Sequence, residues 1–195
     1  MDIINRIKQI LISPKTEWPV IDGENDKHIS VLTKYVLLLA AIPAIAAFIG
    51  YGLIGYKVLG FHFVSMSFGV KQAIVQYITM VGGVYITAFV VDLLAPNFGS
   101  QKNFDKAFSL VAYAYTPAFI GGIFNILPSL SLIAGLASLY SLFLLYVGIA
   151  PMMKAPAEKN TGYFVVSLIA VIVAYFILSF LLGAILLSSS SLAFR

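Results

Sequence analysis

QAIVQYITMVGGVYITAFVVDLLAPNFGS, residues 72–100, is the stretch on which the fold turns. From Gln72 to Val91 it carries no charge, and about 20 such residues in a helix cross a hydrocarbon layer of about 30 Å. It then meets Asp92, runs on through Leu93 to Pro96, and breaks up in polar and glycine residues. Four further apolar runs share its length: Tyr35 to Tyr56, Phe104 to Leu127 (uncharged after Lys106), Ser129 to Ala150 and Gly162 to Leu187. Each approaches or exceeds the length of a crossing, so the sequence predicts five spans. The fold class expected is an all-α membrane protein, a five-transmembrane-helix bundle with an N-terminal amphipathic interfacial helix.

Composition agrees. The chain has 195 residues, of which 61% are hydrophobic and only 10% charged, whereas soluble domains carry about 25% charged residues. That length holds one bundle and no second domain, divided as a cytoplasmic segment 1–34 and a membrane segment 35–195. The formal charge of +4 sits before Tyr35 and between spans. It suits anionic lipid headgroups and is no nucleic-acid surface. With no cysteine, disulfides, thiolate metal sites, iron–sulfur clusters, cysteine nucleophiles and prenyl or palmitoyl anchors are excluded. The first apolar run starts near residue 35 and is too long for a signal peptide, so span 1 is expected to act as an uncleaved insertion signal.

Ahead of the spans, Ile3, Ile4, Ile7, Ile10 and Leu11 share one helical face, with Arg6, Lys8 and Gln9 elsewhere. This is the pattern of a helix lying in the membrane interface. A short helix packed beneath the bundle is the equal alternative. Pro14 and Pro19 are expected to break the helix, and Trp18 to sit at headgroup depth. The segment DGENDKHIS, residues 22–30, is expected to be a solvated loop. Its Asp22, Glu24, Asp26 and His28 lack the remaining glycine and glutamate positions of an EF-hand. Residues 57–71 are too short to cross, leaving a loop, a re-entrant piece or an interfacial segment. Pro128 is expected to mark a tight turn between spans 3 and 4.

Nine lysines and arginines lie near the span ends on one side, against three (Lys57, Lys71 and Arg195) on the other. This predicts a cytoplasmic N-terminus and an external C-terminus. Five spans do not divide into the two equal inverted halves of many transporters. Small residues, Ala40, Ala44 and Ala47, Gly82 and Gly83, Gly121 and Gly122, and Ala134 with Ser138, are expected where helices approach closely.

Asp92 is the residue that asks for an explanation. At the C-terminal end of a helix a carboxylate faces unsatisfied carbonyls, which repel it. Lys102, Lys106, the start of span 3, a bound cation or protonation could compensate. Gly99 is expected to supply an unusual backbone angle, and Ser100 or Asn103 a helix cap. In span 3, VAYAYTPAF, Pro117 cannot donate to the carbonyl of Tyr113, so a kink is expected and that oxygen must find another partner. Tyr113 and Tyr115 lie at a depth comparable with Asp92, and a Tyr113–Asp92 hydrogen bond is the natural expectation. The histidines, His28 and His62, fall on opposite sides and cannot form one metal site. No HExxH, phosphate-binding glycine loop or serine with a neighbouring base occurs, and no enzyme is expected.

Asp92, Leu93 and Pro96 in DLLAP, followed by Tyr113 and Pro117 in AYAYTP, resemble the paired motifs of the Yip family, the Ypt/Rab-interacting membrane proteins. That pattern is Asp-Leu-x-Gly-Pro at the end of span 2 and Gly-Tyr-x-x-x-Pro in span 3. Here Ala95 and Ala112 stand where eukaryotic members favour glycine. The opening ILISPKTEWPVI, with Pro14 and Trp18, looks like the start of bacterial members. The resemblance implies a non-catalytic membrane protein. Eukaryotic relatives are associated with Rab GTPases, vesicle traffic and membrane curvature, and some bacterial relatives with assembly of membrane complexes such as ABC exporters. At about 34 residues the N-terminal region is short for GTPase binding.

The function expected is therefore that of a scaffold or organiser of membrane proteins or lipids in a bacterial inner membrane. The alternative is a small transporter or ion channel with a polar site around Asp92 and Tyr113. The candidate site comprises Asp92, Leu93, Pro96, Gly99, Lys102, Tyr113, Tyr115 and Pro117, with Asp92 the candidate ligand for any metal ion. The interface set is Ile3, Ile4, Ile7, Ile10, Leu11 and Trp18. No cofactor is expected. Expected partners are membrane lipids, other integral membrane proteins including transporter complexes, and a second copy of the chain, but not nucleic acid.

Overall fold

The computed structural model describes residues 2–58, 61–127 and 130–192. Two short helices come first. α1 (Ile3–Ile12) is capped by Asp2, whose carboxyl accepts from the Ile4 N–H at 3.2 Å. α2 (Pro14–Glu24) follows directly, with Pro14 in the first turn, where a missing N–H costs little. Pro19 does not break the chain as expected. It lies inside α2, where the lost hydrogen bond is offset by the buried Trp18 and Ile21 on either side of it.

Five helices are long and apolar enough to cross a membrane among the described residues. α3 (His28–Ile54) contains wider π-helical turns at Leu32–Val36 and Phe48–Ile54. α4 (Met66–Leu94) starts at Ser65, whose hydroxyl accepts from the Phe68 N–H, and tightens into a 3-10 turn over Ala95–Phe98. α5 (Phe104–Ile126), α6 (Ser131–Met153) and α7 (Ala157–Leu192) complete the set. The segment 57–71 is none of the three expected forms alone. Strands β1 (Tyr56–Val58) and β2 (Phe61–Phe63) pair antiparallel, with Tyr56 opposite Phe63, and the rest begins α4. The turn expected at Pro128 lies outside the described residues.

α5 is the axis of the bundle. Of its most apolar stretch, 78% is buried, against 28% for α6 and 17% for α7. Helices in lipid gain nothing by expelling water from each other, so close packing must supply the cohesion. A β-carbon at Gly121 would collide with Ala137, one at Gly122 with Pro43, and one at Gly148 with Trp18 and Leu110. Ala40, Ala44 and Ala47 are buried as expected for contact positions. Gly82 is not one of them, having nothing within 4 Å of a β-carbon, whereas Gly83 meets the Tyr175 hydroxyl. On α6 the close approach falls on Ala137 and Gly148 instead of Ser138, which is exposed.

The amphipathic N-terminal helix is docked on the bundle. Asp22, near the end of α2, meets Lys106 and Lys154 at one end of α5 and α6. Trp18 packs against Leu110 and Gly148, further along. The carbonyl of Leu11 accepts from the Tyr140 hydroxyl at 2.8 Å, and Tyr140 is 13 residues, about 20 Å, from Met153 along α6. α1 and α2 thus form a hairpin that enters the bundle from one face and turns roughly half-way through it. Ile10 and Trp18 are fully buried, which corrects their placement among headgroups. Ile3, Ile7 and Leu11 pack partly against the core, and Ile4 and Ile12 remain 74% and 70% exposed.

Candidate functional site

The hairpin brings a cation into the bundle. Arg6 is 3% exposed, and its two terminal nitrogens donate to Glu17 and Glu24 of α2. Its guanidinium also sits over the Tyr113 ring, 5.2 Å from the centroid, a favourable arrangement for a cation and an aromatic face. The Tyr35 ring meets Tyr113 edge-on at 4.7 Å. Beneath them α5 breaks at Tyr115, because Pro117 has no N–H for the Tyr113 carbonyl. Thr116 supplies the substitute: its hydroxyl donates to that oxygen at 2.6 Å. A hydroxyl has one proton, so in the 2.7 Å bond between Tyr35 and Thr116 the tyrosine is the donor. A cavity of 330 Å³ opens beside this cluster, lined by Arg6, Glu24, Asp26, Lys34, Tyr35 and Tyr113.

Around this cluster the acids of residues 22–30 and of α5 act as staples. Lys106 Nζ lies 3.0 Å from Asp22 Oδ1, and Lys154 pairs with Oδ2. Burial alone would raise the Asp22 carboxyl, but hydrogen bonds from Lys154 and Lys106 outweigh it and hold the group below its ordinary value of 3.8. Asp105 accepts from the His28 N–H at 2.9 Å, contacts His28 Nδ1 at 2.6 Å and pairs with Lys27 at 3.1 Å. Asp22, Glu24 and His28 are therefore engaged by partners within the protein, while residues 23–27 are exposed as expected of a solvated loop. Among the described residues no three His, Cys, Asp or Glu side chains are grouped to hold a metal ion.

Asp92 is provided for differently. It lies in the last turn of α4, and its buried Oδ1 has no hydrogen-bond partner among the described residues. Around it the turn is firmly held. The Tyr163 hydroxyl donates to the Val91 carbonyl at 2.5 Å, and Phe98 stacks on the Tyr163 ring at 4.9 Å. Ser100 donates to the Met153 carbonyl, and its N–H donates to Ala95 O at 3.0 Å. Gly99 adopts φ +76°, the left-handed angle expected of it. Asn103, not Ser100, is the helix cap, accepting from the Lys106 N–H at 3.1 Å.

These two regions carry the paired motifs noted in the sequence. A model of the Yip1 domain matches residues 8–189. The chain belongs to the Yip1 family. It is 30% identical over 155 residues to the inner membrane protein YohC of Escherichia coli strain K12, covering 77% of this chain and 80% of that protein. YohC of an O6:H1 strain of Escherichia coli matches equally. No solved structure matches the chain.

The Yip1 match starts within α1, so it takes in most of the N-terminal hairpin as well as all five spans. Within this Yip1-family bundle the two motifs do not join as expected. Tyr113 faces Arg6 and Tyr35, and no hydrogen bond links it to the buried oxygen of Asp92. Tyr115 instead meets Thr87 at 3.0 Å. Lys106, a candidate counter-charge for Asp92, is committed to Asp22, and Lys102 is exposed in a 460 Å³ cavity with Lys106 and Lys154. Pro117 is buried, whereas Leu93 and Pro96 are exposed. The residues missed from sequence are Arg6, Glu17, Tyr35, Thr116 and Tyr163. Thr116 alone left a signal, because a hydroxyl directly before a helix-breaking proline is placed to bond the freed carbonyl.

Proposed function

We propose that this Yip1-family protein is a non-catalytic organiser of the inner membrane, with its N-terminus in the cytoplasm and its C-terminus outside. The observation that carries the reading is the α1–α2 hairpin, which enters the bundle from one face and turns near its middle, at the Tyr140–Leu11 bond. Two extra helices then fill one leaflet and not the other, and such asymmetric insertion favours a curved or otherwise reshaped membrane. Ile4, Ile12 and Val20 on its outer surface are exposed and apolar, fit to contact lipid. The outer faces of α6 and α7, little buried within the chain, are surfaces for lipids, for other integral membrane proteins such as transporter complexes, or for a second copy. The bias of lysine and arginine toward the hairpin face and the inner-membrane location named for YohC support the location and orientation.

The test is reconstitution into vesicles at rising protein-to-lipid ratio. Wild-type protein should shift the vesicle population toward smaller radii, seen by electron cryomicroscopy, while the vesicles stay tight to protons and potassium. A variant carrying Ile4→Ser, Ile12→Ser and Val20→Ser, with unchanged helicity, should lose the shift. A solute or ion flux that Asp92→Asn abolishes would replace this reading with that of a small transporter or channel.

A further inference from the structure

Within the spans, four hydroxyl groups, besides that of the exposed Ser138 at the rim, converge on a cavity of 290 Å³ between α4, α5, α6 and α7. They are Thr87, Tyr115, Ser141 and Ser167. Thr87 lies 11 residues before Phe98, Tyr115 11 after Phe104, Ser141 12 before Met153 and Ser167 10 after Ala157. At about 1.5 Å per residue all four are about 15–18 Å from the hairpin face, the middle of a hydrocarbon core about 30 Å thick. The remaining wall is apolar, with Met80, Leu142, Leu145 and Leu168 among its residues.

The hydrogen-bond inventory gives the cavity a sign. Ser167 is 1% exposed, and its buried hydroxyl has no hydrogen-bond partner among the described residues. Serines in helices in lipid ordinarily donate back to their own helix, as Ser138 does to the Ala134 carbonyl at 3.1 Å. Ser167 does not, and a hydroxyl unpaired in an apolar interior is costly. Ser141 already accepts from the Ala118 N–H at 3.2 Å, so what it chiefly has left to offer is its proton. The Thr87–Tyr115 pair uses one of its two protons internally and has the other to give. The cavity is thus rich in donors, holds no charge and lies too deep for a phosphate headgroup or a glycerol ester.

We propose that this cavity binds the head of a neutral, lipid-soluble carbonyl compound of the prenylquinone type, with Ser167 and Ser141 donating to its oxygens. Such a ring is apolar on its faces, accepts hydrogen bonds at its edge and dissolves in the bilayer interior. The cavity has the lower end of the volume range of ligand pockets, enough for a substituted six-membered ring and the start of its tail but not for a two-chain lipid. Exposed Leu139 and Ser138 at the rim mark the side from which the tail would leave. The site stands apart from the hairpin, so the organiser reading and this one stand or fall separately.

The experiment is retention of decylubiquinone by full-length protein in lipid nanodiscs after gel filtration, against empty nanodiscs, with thermal unfolding as the folding control. Wild type should retain about one quinone per chain in a saturable manner. Ser167→Ala should weaken retention several-fold to about tenfold, the loss of one hydrogen bond. Ser167→Thr should restore it, Ser167→Leu should abolish it by filling the cavity, and Thr33→Ala, which removes an exposed hydroxyl of α3 outside the cavity, should change nothing. Decylbenzene, which has the tail and ring but no carbonyl, should not compete. Retention no greater than in empty nanodiscs, equal competition by decylbenzene, or indifference to Ser167→Ala would overturn the proposal, and the last two remain decisive if Ser167→Leu fails to fold.

Discussion

At the hairpin face the bundle buries a cation in one region and part of an acid in another, and it treats them in opposite ways. Arg6 is enclosed by two carboxylates and an aromatic ring. Asp92 has a buried oxygen with no partner among the described residues, in a turn held by the Tyr163–Val91 and Ser100–Met153 hydrogen bonds. The difference follows from where the chain comes from. Arg6 arrives on a helix that brings Glu17 and Glu24 back past it 11 and 18 residues later. Asp92 sits on a span whose candidate cations, Lys102 and Lys106, leave on the far side of a bend fixed by Gly99 and are directed elsewhere. A buried charge tolerated only with partners becomes a structural pin, whereas a half-buried one without them is held in place by the turn around it.

The largest test of that contrast is Arg6→Ala. It leaves Glu17 buried without its cation, and should cost about 3–5 kcal/mol, measured as denaturant unfolding in detergent micelles, with the hairpin becoming open to proteolysis. A loss below about 1 kcal/mol would show that Arg6 is not the pin. A smaller effect should appear on acidification. The Asp22 carboxyl is lowered by Lys154 and Lys106, so its contribution is fully present above the ordinary aspartate value and is lost as pH falls through the lower folded value. Asp22→Asn should flatten that part of the acid-unfolding curve, and an unchanged curve would remove the staple. The smallest effect belongs to Asp92→Asn. With no hydrogen bond to lose at the buried oxygen among the described residues, and a charge repelled by the helix-end carbonyls removed, stability should hold or rise by up to about 1 kcal/mol. A loss of the size found at Arg6 would mean that Asp92 has a partner after all.

Much of the fold was open to reading in the chain. Uncharged runs gave five spans, Gly99 its left-handed angle, Asn103 its cap, and Pro117 the break in α5. The site was far less open. Arg6 looked like a solvated charge opposite an apolar stripe, and Trp18 like an aromatic anchor at the headgroups. Both are buried because α2 folds back against α6, where Gly148 leaves room for the indole. Tyr113 was paired with the wrong group, since depth in the bilayer is fixed by residue number and facing direction is not. The hairpin of β1 and β2 gave no periodic signal in strands of three residues each.

What each segment is follows from local chemistry. Helix length, chain breaks, caps and the need to leave water depend on neighbouring residues and on the backbone's demand for hydrogen bonds, which in lipid a helix meets alone. Only the tertiary structure decided which polar groups meet. The contacts between Tyr35 and Thr116, His28 and Asp105, and Lys154 and Asp22 join residues 81, 77 and 132 positions apart. They depend on how each helix is rotated about its axis, and that rotation is set by the close packing of all the helices together.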